Sequence, residues 1–162
     1  MINYRIGNGF DVHALVKGRN LILGGVKIDY HLGLEGHSDG DVLIHSIIDS
    51  ILGPTDLGDI GQLFPDTNPL YKNINSLNLF KDVFQRITSL GFSVINTDSV
   101  IICEQPKIYP YISEIKKSIS DATDGILPQK SIGIKGKTSE GLGFTGRGEG
   151  IAVYTVSLLA FK

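Results

Sequence analysis

The chain has 162 residues, a formal net charge of −2 at pH 7, and 41% hydrophobic against 20% charged residues, as is usual for a globular domain. This length predicts one domain, residues 1–162, with one core, and the near-neutral charge argues against an extended surface for nucleic acid or a membrane. The sequence has no apolar run near the roughly 18 residues that span a bilayer, and its first residues lack the apolar core of a signal peptide.

The first predicted strand, residues 4–13, ends in an Asp-x-His pair. Side chains alternate along a strand with period two, so we expect Asp11 and His13 on the same face. Glycines at positions 7 and 9 allow another backbone to approach this strand closely.

The other elements are predicted from apolar periodicity and from capping or breaking residues. In chain order they are a strand over 20–28 with a bulge or tight bend at Gly24-Gly25, a connection over 29–36, a helix from a cap at Ser38 or Asp39 to Leu52, a helix from a cap at Ser76 to Gly91, a strand over 92–103, a rigid turn over 105–110, a helix over 111–122, and strands over 131–137 and 151–161. Residues 55–75 have no sustained period, and a stretch of that length is often functional. This order predicts an α+β fold, one sheet with helices packed on one face.

His45 lies on a polar strip of the first predicted helix, beside an apolar stripe with helical spacing. With Asp11 and His13 it forms a set of two histidines and one carboxylate, which is typical of catalytic zinc if the fold brings them together. The alternative is that each histidine only makes structural hydrogen bonds. Asp41 and Asp49, at i−4 and i+4 from His45, either orient its second ring nitrogen or are solvated helix charges.

Three further segments have residue types that suit phosphates. His37-Ser38 at a helix start fits an anion or diol contact, although Ser38 alone is explained by an N-cap. Lys107, in a proline-flanked turn, either fixes an ammonium group for a phosphate or is solvated. A hydroxyl beside the carboxylate in Lys137-Thr138-Ser139-Glu140 suits magnesium shared with phosphates, although a polar turn is the simpler interpretation.

Three other features carry expectations of their own. Arg147 and Glu149 lie among four glycines, which indicates a subunit contact or a ligand clamp, or else a flexible hairpin. Cys103 cannot form an internal disulfide and follows two isoleucines, so we expect a buried thiol in a reducing compartment. His31 is predicted to be a surface residue.

Five motifs occur in register from residue 9 to residue 150. They are Gly-Phe-Asp-Val-His, His-Ser-Asp-Gly-Asp-Val-x2-His, Gly-Asp-Ile-Gly-x-Leu-Phe-Pro-Asp-Thr, Pro-Lys-Ile, and Lys-Thr-Ser-Glu-Gly-Leu-Gly-Phe-Thr-Gly-Arg-Gly-Glu-Gly. On these motifs the chain resembles the 2-C-methyl-D-erythritol 2,4-cyclodiphosphate synthase family over essentially its whole length. The resemblance implies conversion of 4-diphosphocytidyl-2-C-methyl-D-erythritol 2-phosphate to a cyclic diphosphate and CMP, in the non-mevalonate isoprenoid pathway.

The resemblance also implies an assembly and two kinds of metal ion. Asp11, His13 and His45 match zinc ligands, and Glu140 matches a ligand to a magnesium or manganese ion between the substrate phosphates. The expected assembly is a homotrimer around a threefold axis lined by a mixed β-sheet, with active sites at the subunit interfaces. The expected location is the bacterial cytoplasm or, in a eukaryote, the stroma of a plastid-type organelle.

By the same resemblance, catalytic roles fall on the three zinc ligands, Lys107, Thr138 and Glu140. Substrate-binding roles fall on residues along the whole chain: His37, Ser38, Asp49, Asp59, Gly61, Asp66, Cys103, Pro106, Lys107, Ile108, Tyr109, Gly136, Lys137, Thr138, Ser139 and Glu140. Phe144, Arg147 and Glu149 match a central cavity that can hold an isoprenoid diphosphate. Two other functions stay open: a metal-dependent phosphohydrolase on the same scaffold, and a non-catalytic trimeric module that binds isoprenoids.

Overall fold

The computed structural model describes residues 2–161, so Met1 and Lys162 of the predicted domain lie outside the described residues. Seven strands lie within the described residues: β1 Asn3–Val16, β2 Leu21–Leu23, β3 Val26–Ile28, β4 Gly33–Leu34, β5 Phe92–Ile102, β6 Ile132–Lys137 and β7 Gly150–Phe161. The α-helices of this part of the chain are α1 Val42–Leu52, α2 Ile60–Leu63, α3 Ser76–Ser89, α4 Ile112–Ala122 and α5 Gly143–Gly146. None of the helices within residues 2–161 has the length and apolar character of a membrane span.

The main sheet has five strands in the order β4-β1-β7-β5-β6, and β2 pairs with β3 in a separate hairpin. Only the β5–β6 pair is parallel, because a helical crossover through α4 connects those two strands. The other pairs of the main sheet are antiparallel, and β1 and β7 pair over most of their length. The sheet is therefore mixed, and the α+β class predicted from the element order is confirmed.

Helix α1 lies directly against β1. A Cβ on Gly7 would overlap the carbonyl oxygen of Ser50, and one on Gly9 would overlap that of Ser46. The predicted close approach at these glycines is therefore confirmed, and the approaching element is α1. This contact brings the start of the helix over the end of β1 that carries Asp11 and His13.

The core lies between the sheet and the helices. It consists mainly of the apolar stripes of α1 and α3 with inward residues of the sheet, and Phe80, Ile44, Ile48, Ile101 and Val153 are among its fully buried members. On the opposite face β1 exposes Tyr4, Ile6, Phe10 and Val12, and β7 exposes Tyr154 and Val156. The helices thus cover one face of the sheet, as predicted, and leave the other face apolar and exposed in the single chain.

Several predicted boundaries were wrong. The strand expected over 20–28 is two short strands, and Gly24 and Gly25, with φ of +60° and +75°, form the turn between them. The connection expected over 29–36 contains β4. Helix α1 begins after Asp41 and not after Ser38 or Asp39, because the Asp41 carboxylate accepts the backbone N–H of Ile44 as the cap.

The second half of the chain follows the prediction more closely. Helix α3 and the last three strands lie where expected within a residue or two, although the cap of α3 is Asn75 and not Ser76. Residues 55–75 hold only the short helix α2 and single helical turns. Helix α5 was not predicted. Cys103 is buried, as expected, and this burial raises the pKa of its thiol to about 11.

Candidate active site

Three side chains converge where β1 meets α1. The Asp11 Oδ2 atom lies 2.9 Å from His13 Nε2 and 3.0 Å from His45 Nδ1, and the two ring nitrogens are 3.2 Å apart. Zinc bound tetrahedrally at about 2.0–2.1 Å holds its ligand atoms about 3.3 Å apart. The triangle therefore has nearly the dimensions of one face of a zinc tetrahedron, and an ion held there would have a fourth position for another ligand.

The second nitrogen of His13 is held by the backbone. Its Nδ1–H donates to the carbonyl oxygen of Glu35, which leaves the Nε2 lone pair facing the triangle. Arg19 holds the same loop, because its guanidinium donates to the carbonyl oxygens of Gly36 and Ser38 at 3.0 and 2.7 Å. This role of Arg19 was not predicted, since a lone arginine in a turn has no pattern that marks it.

The second nitrogen of His45 is held by hydroxyls. With Nδ1 in the triangle, Nε2–H donates to Ser38 Oγ at 3.1 Å and to Ser76 Oγ at 3.0 Å. The Ser76 hydroxyl in turn donates to Asp39 Oδ1 at 2.5 Å, and the Ser76 backbone N–H donates to Asp39 Oδ2. Ser76 is fully buried, so the hydroxyl that links the half-buried Asp39 carboxylate to the imidazole is shielded from water.

The carboxylates of Asp41 and Asp49 do not orient the His45 imidazole, and both interpretations of them from sequence were wrong. Asp41 is fully buried and accepts backbone N–H groups of Gly24 and Gly25 as well as that of Ile44. Burial and the nearby Asp39 charge raise its pKa to about 6, against the lowering effect of those hydrogen bonds. Asp49 is half-buried and accepts the Ile60 N–H at 2.8 Å, which fixes the start of α2.

The charge of the triangle suits a cation. Burial acts to raise the pKa of Asp11, but the hydrogen bonds and charges of His13 and His45 outweigh it and hold that pKa well below its ordinary value. Burial likewise acts to lower the pKa of His13, and the hydrogen bond and charge of Asp11 outweigh it and raise that pKa. A carboxylate that stays ionised between two imidazoles is a donor set that a divalent transition-metal ion prefers.

A cavity of about 200 Å³ opens over the triangle. Four of the predicted substrate-binding residues line it, namely His37, Ser38, Gly61 and Asp66. The sequence did not indicate the apolar part of its lining, which is formed by Ile60, Phe64, Tyr71, Ile74 and Leu79. Asp59 lies outside the lining and caps α2, where its hydrogen bonds with Gln62 lower its pKa.

A second cavity, of about 510 Å³, lies beside the ends of β5 and β6. Its volume is in the range of small-molecule sites. The predicted residues that line it are Cys103, Pro106, Lys107, Ile108, Tyr109, Gly136, Lys137 and Thr138. Ile112, Ile134 and Lys135 complete the lining and were not predicted. The first and second cavities have no lining residue in common.

The remaining predicted residues lie in or near the turn after β6. Thr138 Oγ1 donates to Glu140 Oε1 at 2.6 Å, which places the two oxygen donors side by side. Ser139 bonds the hydroxyl of Thr145, which is buried in α5. Neither Ser139 nor Glu140 lines the cavity over the triangle, so the single chain does not bring Glu140 to Asp11 and the two histidines.

Arg147 and Glu149 form an exposed ion pair, with guanidinium–carboxylate distances of 2.8 and 3.0 Å. Phe144 of α5 is 40% exposed beside them. The flexible-hairpin interpretation was wrong, because this glycine-rich segment forms α5 before β7 begins. His31 is exposed, as predicted.

Known proteins match this chain over nearly its whole length. The model of the YgbB family matches residues 4–160. A protein of Clostridium acetobutylicum named 2-C-methyl-D-erythritol 2,4-cyclodiphosphate synthase is 57% identical over 155 residues, which are 96% of this chain and 99% of that protein.

Solved structures of two other proteins match the fold of this chain. The bifunctional IspDF of Campylobacter jejuni superposes with a TM-score of 0.94 and 41% identity over 100% of this chain, which spans only 43% of that longer protein. The IspF of Plasmodium falciparum in complex with CDP superposes with a TM-score of 0.85 and 36% identity, over 98% of this chain and 97% of that one.

Proposed function

The chain belongs to the YgbB family, and we infer that it is a 2-C-methyl-D-erythritol 2,4-cyclodiphosphate synthase, a phosphorus–oxygen lyase of the non-mevalonate isoprenoid pathway. It converts 4-diphosphocytidyl-2-C-methyl-D-erythritol 2-phosphate to the cyclic diphosphate and CMP. The observation that carries this conclusion is the triangle of Asp11, His13 and His45 at the floor of a cavity. A protein that shared only the fold would have no need for three side chains whose potential metal-ligand atoms converge.

We propose that the triangle holds zinc and that Glu140, next to the Thr138 hydroxyl, is a ligand to magnesium or manganese. The donor types support this assignment, because imidazole suits zinc and exposed oxygen atoms suit a hard cation that shares its ligands with phosphates. When bound, the two ions neutralise phosphate charge and polarise the phosphorus–oxygen bonds that react.

The reaction needs no nucleophile from the protein. An oxygen of the 2-phosphate attacks the β-phosphorus, a new phosphorus–oxygen bond closes the ring, and the bond to the CMP oxygen breaks as CMP leaves. Phosphoryl transfer of this kind depends mainly on positioning and on charge neutralisation. We assign the positioning of the methylerythritol part and its phosphate to His37, Ser38, Asp59, Gly61 and Asp66, with Asp49 holding α2 behind them.

We assign the cytidine nucleotide to the second cavity. Its apolar lining suits the base, and Lys107 and Lys137 are placed there with the Thr138 hydroxyl, which suits phosphate oxygens. The Plasmodium falciparum IspF structure is a complex with CDP, and this supports a nucleotide diphosphate as the occupant here. If water attacked the β-phosphorus in place of the 2-phosphate, the protein would be a phosphohydrolase. The relatives are named cyclodiphosphate synthases, which favours cyclisation.

We further propose a homotrimer whose active sites lie between subunits. Two observations support it: the two cavities do not meet within one chain, and the sheet face opposite the helices exposes an apolar row. In such an assembly this face lines the threefold axis, and Phe144, Arg147 and Glu149 line a central cavity that an isoprenoid diphosphate can enter. The bacterial relatives support a cytoplasmic location.

The test compares His45→Ala with His31→Ala, which removes an exposed histidine outside both cavities. We expect His45→Ala to reduce CMP release to the uncatalysed background without a change in oligomeric state, because it removes one corner of the triangle. His31→Ala should release CMP at the parental rate. Full CMP release by His45→Ala would contradict the proposed function.

A further inference from the structure

One carboxylate joins the two chain segments that follow β5 and β6, beside the second cavity. Glu104 follows β5, directly after Cys103, which lines that cavity. Its Oε1 atom accepts the backbone N–H of Ser139 at 2.9 Å and that of Gly141 at 3.2 Å. Both amides belong to the turn after β6, directly after Thr138, which also lines that cavity. The contact is therefore a bridge between the end of β5 and the turn that carries Glu140.

The residue between those two amides has an unfavourable backbone conformation. Glu140 has φ of +53°, in the left-handed region that residues with a side chain rarely adopt. Successive N–H groups around a left-handed residue form a concave site for an anion. Here that anion is the chain's own Glu104, and its charge offsets the cost of keeping Glu140 in this conformation.

The conformation matters because it sets where Glu140 points. In this turn Thr138 Oγ1 donates to Glu140 Oε1, so the hydroxyl and the carboxylate lie side by side. Gly141 is also left-handed, with φ of +77°, which a glycine adopts without strain. If Glu140 relaxed to an ordinary conformation, its carboxylate would lose this position beside Thr138, which lines the second cavity.

We propose that Glu104 is a positioning residue that holds the turn 138–141 in the conformation that presents Thr138 and Glu140 to a metal-bound nucleotide diphosphate. The nature of this ligand rests on the proposed function, whereas the restraint on the turn does not. Glu104 itself is not assigned as a metal ligand, because the Ser139 and Gly141 amides both donate to its Oε1 atom.

The test uses Glu104→Ala, which removes the acceptor, Glu104→Gln, which keeps one acceptor oxygen, and Glu114→Ala as a control on the exposed surface of α4. Hydrogen exchange of the Ser139 and Gly141 amides measures the restraint directly. Titration calorimetry with CDP, with and without magnesium, measures how the restraint on the turn affects CDP affinity. If Glu104→Ala does not fold, Glu104→Met preserves the side-chain length without an oxygen acceptor and takes its place.

We expect Glu104→Ala to accelerate exchange of both amides at least tenfold and to remove most of the gain in CDP affinity that magnesium gives the parent. Glu104→Gln should recover most of both effects, and Glu114→Ala should match the parent. Parental exchange rates in Glu104→Ala, or a loss of CDP affinity that is equal with and without magnesium, would overturn the proposal. A parent protein that does not bind CDP would instead refute the proposed function, and the exchange result would still decide the restraint.

Discussion

The two histidines of the triangle differ in what fixes their second nitrogen. His13 is held by a backbone carbonyl, which no side-chain substitution removes, and His45 is held by the hydroxyls of Ser38 and Ser76. Ser38 also lines the cavity over the triangle, so its loss would change the cavity as well. Ser76 does not line the cavity over the triangle, and it therefore isolates the effect of orienting His45.

We predict that Ser76→Ala weakens zinc binding by about 10- to 100-fold, the usual effect of removing a group that orients a metal-ligating histidine. The measurement is competition for zinc with a chromophoric chelator. Ser89→Ala, at an exposed hydroxyl near the end of α3, is the matched control and should bind zinc like the parent. Equal affinities in the two variants would contradict an orienting role for Ser76.

The sequence predicted the three residues of the triangle but not the groups that support them. Period-two alternation was enough to place Asp11 and His13 on one face, because it depends only on local geometry. The partners of His45 come from a loop and from a helix 31 residues further along the chain, so spacing could not reveal them. Asp41 and Asp49 had the right helical spacing to orient His45, but that prediction was wrong. Their carboxylates instead accept backbone N–H groups of the hairpin turn and of α2.

At the scale of elements, the site depends on how closely α1 approaches β1. Gly9 leaves room for the Ser46 carbonyl oxygen, one residue from His45. The apolar stripe of α1 and the glycines of β1 predicted both surfaces of this contact. The predicted start of α1 was wrong because three potential capping residues lie within four positions. Asp41 is selected by its hydrogen bonds with the backbone of Gly24 and Gly25, which are distant in sequence.

We predict that Gly9→Ala destabilises the fold by about 1–3 kcal/mol, as overpacking usually does, and also weakens zinc binding because α1 and its His45 must shift. The measurements are urea unfolding and the same chelator competition. The control is Gly53→Ala, where an added Cβ meets nothing within 4 Å and the backbone is right-handed helical. A Gly9→Ala variant as stable as Gly53→Ala would refute the close packing described for these elements.

At the scale of the whole molecule, one face of the sheet has no cover in the single chain. Tyr4, Ile6 and Phe10 of β1 are 64%, 75% and 57% exposed and form an apolar row on one face of the strand, interrupted by the polar Asn8. Exposed apolar surface of this kind marks an interaction site. The sequence alone could not identify it, because the same alternating residues would also fit a strand that is covered within its own chain.

We predict that Ile6→Lys shifts the protein from trimer to monomer, because it places a charge in the middle of this apolar row. Light scattering after gel filtration gives the mass directly. Ile126→Lys changes a residue that is 66% exposed in a loop after α4, and it should leave the trimer intact. A trimeric Ile6→Lys variant, or a parent that is monomeric, would contradict the assembly proposed through this face.

The proposed assembly also explains why the sequence could not predict the complete site. The resemblance assigned the triangle and Glu140 to one diphosphate, and the single chain does not bring them to one cavity. Each half of the site was predictable from a local motif. In the proposed trimer the halves combine across a contact with a neighbouring chain, and the local motifs of one chain do not encode that contact.

Phosphorus NMR of the reaction products tests the central claim most directly. The protein is incubated with 4-diphosphocytidyl-2-C-methyl-D-erythritol 2-phosphate and magnesium, with and without a zinc chelator. We predict CMP and a cyclic diphosphate, both lost on chelation and restored by added zinc. CMP with linear phosphates would contradict the synthase and identify a phosphohydrolase, and no turnover by the zinc-loaded protein would leave a non-catalytic binding module.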